Sequence, residues 1–201
     1  MPESDFKEGH VEADGFRVRY LEAGQGDSVV ILDSNAWGWS PLNDALAKTY
    51  RVVVFEVPGM GSSSPNTTSG SVNDLAGTMV QAAASVVSCK FTLIGTSFAA
   101  NVALRQTLLA PESVEALVLI SPTSIRPAAS APTQTLDEMK ARLSAHPENI
   151  PSLPFGLIDN LTQEQALAAR LGGTVNDSEV ESRLGDVQCA TLSLFGLADK
   201  T

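Results

Sequence analysis

Ser97 lies where a short apolar stretch ends and a small-residue, helix-prone stretch begins. The mainly apolar residues 91–94 stop at Gly95, and residues 98–100 follow the serine. This order is typical of a strand that passes into a helix through one tight turn, which points the hydroxyl out of the sheet and directs the N-terminal amides of the helix to the same place. The position suits a nucleophile that attacks a carbonyl carbon. A simple helix N-cap in an ordinary α/β unit is the alternative interpretation.

A serine hydroxyl is a weak nucleophile unless a base, usually an imidazole oriented by a carboxylate, takes its proton. The sequence contains two histidines, His10 and His146. His10 falls in a predicted hairpin and is expected at the surface. His146 falls in a loop between prolines, and we do not expect it to reach Ser97. The residues therefore indicate a nucleophile without showing its base.

Strands and helices alternate from the N-terminus to residue 122, which predicts a mostly parallel sheet with right-handed crossovers. A hairpin turn at Asp14-Gly15 comes first, and Ser40-Pro41 is a typical helix start. Between residues 123 and 188 the pattern is mainly helical and interrupted by prolines, and residues 190–195 return to strand. We therefore predict an α/β core of residues 1–122 and 189–201, with a helical cap inserted at 123–188. A continuous apolar run predicts a buried strand at residues 29–32, and mainly apolar segments predict further strands at 51–57, 91–95 and 114–120.

Composition restricts the classes of partner. The net charge of −10 argues against binding nucleic acid or an anionic membrane through a basic surface. No apolar run is long enough to span a bilayer, and the polar N-terminus lacks the features of a secretory signal. Cys89 and Cys189 have no metal-ligand spacing, and we expect both to be reduced, mostly buried thiols. Together these features favour a cytoplasmic protein with no membrane or nucleic-acid partner.

Three segments, each at the end of a predicted strand, together resemble the α/β-hydrolase superfamily, in particular its branch with a helical cap. Residues 95–99 (GTSFA) are similar to the nucleophile turn G-x-S-x-G, with Ala99 in place of the last glycine. Residues 56–63 (EVPGMGSS) are similar to the loop D-x-P-G-x-G-x-S, with Glu56 in place of aspartate. Residues 195–199 (FGLAD) resemble the segment that carries the catalytic acid. The resemblance implies a mostly parallel sheet with flanking helices and a helical cap.

The resemblance also implies roles for individual residues. Ser97 is the nucleophile and Asp199 the acid, with a surface turn as the alternative for Asp199. The backbone amides of Phe98 and Asn35 are the expected donors of an oxyanion hole. Along the chain, the family's catalytic residues come in the order serine, acid, histidine, with the histidine after a further strand and helix. We therefore expect the C-terminal strand and helix to be missing here. Without the histidine, we expect the chain as given to be nearly inactive. Glu56 is interpreted as a turn residue rather than as a catalytic acid.

The loop after the first buried strand departs from the family pattern. Asp33-Ser34 stands where the family usually has His-Gly. A carboxylate near a developing negative charge would oppose it, unless the side chain is turned away and hydrogen-bonded. Asp33 is therefore either structural or the mark of a site for different chemistry or for binding only. Trp37 and Trp39 follow, and each either packs the loop onto the cap or forms an apolar wall of the substrate pocket. Asp33, Ser34 and Trp37 are the candidate substrate-binding residues.

The leading hypothesis is a serine hydrolase of small uncharged esters or related carbonyl compounds, without metal or cofactor. Serine at position 97 argues against dehalogenase and epoxide-hydrolase activity, since those relatives use aspartate there. A non-catalytic small-molecule-binding protein on the same fold is the alternative from another class, and a fragment without independent function is a third. In the absence of a covering strand, the last predicted strand would be an exposed edge through which the chain self-associates.

Overall fold

The structure is a computed structural model, and it describes residues 5–33, 39–122, 135–149, 157–172 and 177–197. Within these residues seven strands form one sheet: β1 (Lys7–Ala13), β2 (Phe16–Ala23), β3 (Ser28–Asp33), β4 (Arg51–Glu56), β5 (Phe91–Thr96), β6 (Val114–Ile120) and β7 (Ala190–Leu194). Their order across the sheet is β1-β2-β4-β3-β5-β6-β7. The first two strands form an antiparallel hairpin that joins the sheet at β4, and the other five strands run parallel to one another.

Six α-helices connect or follow these strands in the described part of the chain. Ser40 caps the first helix as predicted, since its hydroxyl accepts the N–H of Asn43 at 3.4 Å. The third helix ends at Leu109, two residues before Pro111, as the proline predicts. The helices are α1 (Pro41–Ala47), α2 (Val72–Val86), α3 (Phe98–Leu109), α4 (Leu136–Leu143), α5 (Leu157–Arg170) and α6 (Ser178–Arg183).

Alternating residues of the central strands pack on opposite faces of the sheet. Val30 and Leu32 lie in the larger core with residues of α2 and α3, whereas Val29 and Ile31 lie in a smaller cluster. Leu46 of α1 packs against that smaller cluster. Helices therefore cover both faces of the parallel strands, which confirms the α/β fold with a mostly parallel sheet. The division into a core and a cap at residues 123 and 188 stays a prediction.

Strand β7 differs from the other parallel strands because all five of its residues are exposed. Leu192 and Leu194, opposite Val118 and Ile120 of β6, remain 52% and 43% exposed. They continue the apolar face of the smaller cluster past β6. In the described residues, this end of the sheet is thus an apolar surface open to water.

Cys89 is exposed and Cys189 is half-buried, so the expectation of mostly buried thiols was wrong. The physical reason is position: Cys89 lies in the short connection between α2 and β5, outside the alternation that buries strand residues. Among the described helices, none is both long enough and apolar enough to cross a membrane.

Candidate active site

Ser97 lies between β5 and α3, at the strand-to-helix turn that the sequence predicted. Its backbone has φ 55° and ψ −121°, a conformation that side-chain-bearing residues rarely adopt. Hydrogen bonds hold the turn on both sides: the Ser97 N–H donates to the Ile120 carbonyl at 2.9 Å, and the Ala100 N–H donates to the Ser97 carbonyl at 3.2 Å. The strained conformation is thus fixed by the neighbouring strand and by the first turn of the helix.

The tightness of this turn explains its small residues. A Cβ added to Gly95 would lie 2.6 Å from the Cα of Ala100 and 2.6 Å from the carbonyl oxygen of Ala99. Both neighbours are backbone atoms that cannot rotate away. Ala99 stands where the family motif has a second glycine, and it fits with 1% of its surface exposed. The turn therefore requires glycine at 95 and accepts a methyl group at 99.

The carboxyl ends of β5, β6 and β7 meet beside Ser97. The Ser121 N–H, just after β6, donates to the Leu194 carbonyl at the end of β7 at 2.8 Å. Adjacent strands lie about 4.8 Å apart, so the end of β7 is about 10 Å across the sheet from the end of β5. Asp199 follows β7 five residues later but lies outside the described residues, as do Ser34, Asn35 and Trp37. Their roles stay predictions.

The amino end of α3 faces the same edge. Because Phe98 is the first residue of the helix, its N–H belongs to the turn whose amides carry partial positive charge. Its side chain points the other way, into the core, with 2% of its surface exposed. Phe98 is therefore placed to contribute a backbone donor, and its ring is core rather than pocket wall.

A carboxylate that the sequence analysis did not single out contacts the Ser97 side chain. The Ser97 hydroxyl donates to Oε1 of Glu164, on α5, at 3.3 Å. Glu164 is buried, with 8% of its surface exposed. It shares one side of α5 with Leu167 and Ala168, which follow it by three and four residues, and Leu171, just after the helix, continues that side; all three join the larger core. That helical spacing was a signal that could have placed Glu164 on the inner side of α5.

Arg170 holds the last turn of α5 against the loop that follows β4. Its guanidinium donates to the carbonyl of Ser69 at 2.6 Å, and to the carbonyl and side-chain oxygens of Asn66 at 2.7 and 3.0 Å. One turn earlier, Leu167 lies beside Gly59. A Cβ added to Gly59 would be 3.1 Å from Cδ2 of Leu167. These contacts fix α5 over the carboxyl edge of the sheet, with Glu164 above Ser97.

Both histidines have other partners. Nδ1 of His146 lies 3.1 Å from Oε1 of Glu148, and the His146 side chain is 73% exposed. His10 is exposed on β1, opposite Arg19 of β2, with its Nε2 4.0 Å from Glu8. Neither imidazole serves Ser97, in agreement with the sequence analysis.

The remaining charged and aromatic candidates near this edge have structural contacts. Buried Glu56 forms an ion pair with Arg19 and accepts the N–H of Ser62 at 2.7 Å, so it fixes the loop after β4. Hydrogen bonding to Glu8, followed by the charge of Glu56, raises the pKa of Arg19.

Trp39 donates a hydrogen bond from its indole N–H to Asp44 at 2.7 Å, and its ring stacks on Phe6, which favours its packing role.

Asp33 ends β3 next to the end of β4. Its main-chain carbonyl accepts the N–H of Val57 at 3.1 Å, and the residue is half-buried. This contact ties the end of β3 to the loop after β4. The role of the Asp33 carboxylate, structural or ligand-binding, stays a prediction.

Comparison with known proteins agrees with this geometry. A model of the alpha/beta hydrolase family matches residues 24–195. A 2-hydroxy-6-oxononadienedioate/2-hydroxy-6-oxononatrienedioate hydrolase from Escherichia coli O81 (strain ED1a) is 33% identical over 113 residues, which are 52% of this chain and 39% of that protein. The dihydrolipoyllysine-residue acetyltransferase component of the acetoin cleaving system from Cupriavidus necator is 30% identical over 115 residues, 55% of this chain and 31% of that protein. The matched part thus spans under two fifths of each relative.

Solved structures share the fold. A serine hydrolase involved in carbazole degradation (the CarC enzyme) superposes with a TM-score of 0.70 at 20% identity, covering 96% of this chain and 80% of that one. The thioesterase domain from the curacin biosynthetic pathway has a TM-score of 0.70 at 17% identity, covering 96% and 84%. At these identities the likeness shows the fold alone. The family match over most of the sequence, with this sheet order and the turn at Ser97, shows that the chain belongs to the alpha/beta hydrolase family.

Proposed function

We propose that the protein is a serine hydrolase of small uncharged esters or related carbonyl compounds, with Ser97 as the nucleophile. The observation that carries the proposal is the strained backbone of Ser97, with φ 55°, at the carboxyl edge of the sheet and at the start of α3. This geometry presents the hydroxyl at the edge of the sheet and brings helix amides to the same point. The hydrolase names of several relatives support the reaction class.

The proposed reaction has two steps. The Ser97 oxygen attacks the carbonyl carbon while its proton passes to an imidazole, which then gives the proton to the departing alcohol oxygen. Water next attacks the acyl carbon and loses a proton to the imidazole. The bond from that carbon to the Ser97 oxygen then breaks, and the imidazole returns its proton to this oxygen as the acid leaves. The N–H groups of Phe98 and Asn35 are proposed to stabilise the oxyanion, and Asp199 to orient the imidazole. We propose that this histidine lies outside residues 1–201, in a longer protein like the curated relatives.

A non-catalytic ligand-binding protein remains the second candidate. The contacts of His10 and His146 with glutamates rather than with Ser97 favour it, since a serine without a base reacts slowly. A burst of released product is expected from the serine hydrolase and not from the binding protein, so burst kinetics distinguish the two functions.

The test is rapid mixing of the full-length protein with 4-nitrophenyl acetate, followed by mass mapping of acetylated peptides. The proposal expects a burst of one 4-nitrophenolate per protein and an acetyl group on Ser97. Ser97→Ala is expected to lower kcat by about four to six orders of magnitude, whereas Ser85→Ala, on the exposed side of α2, leaves the burst unchanged. Binding without a burst, or acetylation that persists in Ser97→Ala, would contradict the proposal.

A further inference from the structure

Glu164 is a charged residue on the side of α5 that faces the protein interior. With 8% of its surface exposed, it is nearly as buried as its neighbours Leu167, Ala168 and Leu171. Removing a carboxylate from water is costly unless polar groups compensate. Its contact with the Ser97 hydroxyl and the adjacent amino end of α3 supply such compensation. The placement therefore directs a carboxylate at the nucleophile.

The position of this carboxylate relative to a bound substrate follows from the Ser97 contact. A reactive carbonyl carbon lies about 3–3.5 Å from the attacking oxygen. Oε1 of Glu164 is 3.3 Å from that same oxygen. The two distances place Glu164 within about 7 Å of the reacting carbon. Arg170 and Leu167 hold α5 in this place, so the Glu164 carboxylate stays beside Ser97.

An ionised carboxylate only accepts hydrogen bonds, and it repels negative charge. A hydroxyl, amide N–H or ammonium group beside the scissile carbonyl can bind to Glu164, whereas a substrate carboxylate at that place cannot. We infer that Glu164 is a specificity-determining residue that selects substrates with a hydrogen-bond-donating or cationic group next to the reacting carbonyl, and disfavours substrates that are anionic there. The inference rests on the proposed function, whose substrate class it narrows.

The test uses three fluorophosphonates of equal length that carry a trimethylammonium, a tert-butyl or a carboxylate group. Their rate constants for labelling Ser97 in the full-length protein are measured by mass spectrometry. For a probe charge held about 7 Å from the Glu164 carboxylate, Coulomb attraction and repulsion predict that the cationic probe labels Ser97 about 10- to 100-fold faster than the anionic probe at low salt. Glu164→Gln is expected to bring this ratio close to one. Asp159→Asn, which removes an exposed carboxylate from the same helix, should keep the wild-type ratio.

The outcomes separate this inference from the proposed function. Labelling of Ser97 at equal rates by all three probes, or a charge preference that persists in Glu164→Gln, overturns the inference and leaves the nucleophile intact. No labelling by any probe overturns the proposed function and the inference with it. If Glu164→Gln does not fold, Glu164→Ala decides: a charge preference that persists at the wild-type ratio in Glu164→Ala rejects the inference.

Discussion

The strained backbone of Ser97 predicts that glycine at this position makes the protein more stable than alanine does. Ser97→Gly and Ser97→Ala both remove the hydroxyl and its hydrogen bond to Glu164. They differ in the Cβ, which disfavours φ 55° with ψ −121° in alanine and is absent in glycine. The comparison therefore isolates the strain in the turn from the loss of the side-chain contact.

The expected difference follows from two opposing terms. A non-glycine residue in such a conformation costs about 1–3 kcal/mol in the folded state. Glycine loses about 0.4–1 kcal/mol more than alanine through the entropy of the unfolded chain. Ser97→Gly should thus exceed Ser97→Ala by roughly 0.5–2 kcal/mol in free energy of unfolding. For a protein of this size, that is a melting temperature about 1–8 °C higher.

Urea and thermal unfolding of both variants, followed by circular dichroism, measure this difference. A matched pair at Ser85, near the end of α2 and in ordinary helical conformation, is the control. There, Ser85→Gly should be less stable than Ser85→Ala by about 1 kcal/mol, the opposite sign. If Ser97→Gly is no more stable than Ser97→Ala while the Ser85 pair behaves as expected, the turn is not strained and the reasoning fails.

Three other predictions concern the surroundings of the site. Gly95→Ala should destabilise the protein by about 1–3 kcal/mol, because the new methyl group would overlap backbone atoms of Ala99 and Ala100. Gly77→Ala, in open space on α2, should stabilise the protein by about 0.5–1 kcal/mol. Urea midpoints that move in the same direction for both variants would contradict this. Arg170→Met removes three hydrogen bonds from a charged group and should cost about 1–3 kcal/mol, with faster proteolysis of α5; an unchanged urea midpoint and digestion pattern would show that Arg170 does not tether the helix. The exposed strand β7 predicts that the 201-residue chain self-associates, and Leu192→Lys should shift its sedimentation toward the monomer; a monomeric wild-type chain would refute this.

Local patterns predicted most of the fold because each element carries its own signal. Asp14 and Gly15 have φ 51° and 80°, the left-handed conformations that this hairpin turn requires. The apolar run before Ser97 became β5, and the alternation around it became a parallel sheet. Within the segment predicted to be mainly helical, 123–188, the structure has α5, which begins at Leu157. Its apolar spacing marks the packed part of the helix rather than its first turn.

The contact between Ser97 and Glu164 could not be predicted in the same way, because 67 residues separate its partners. Periodicity along α5 places Glu164 on the inner side of the helix, but it does not say which surface that side meets. The answer depends on Arg170, which binds a loop about 100 residues earlier in the chain. Tertiary docking of this kind leaves no local signal in one sequence.

The central claim is that the Ser97 hydroxyl is an activated nucleophile in the full-length protein. The direct measurement is incubation with diisopropyl fluorophosphate, followed by mass mapping of the modified peptide. We predict one phosphoryl adduct per molecule, on Ser97, that Ser97→Ala abolishes. An unmodified Ser97 under conditions that label a known serine hydrolase, or an adduct of the same yield in Ser97→Ala, would contradict it.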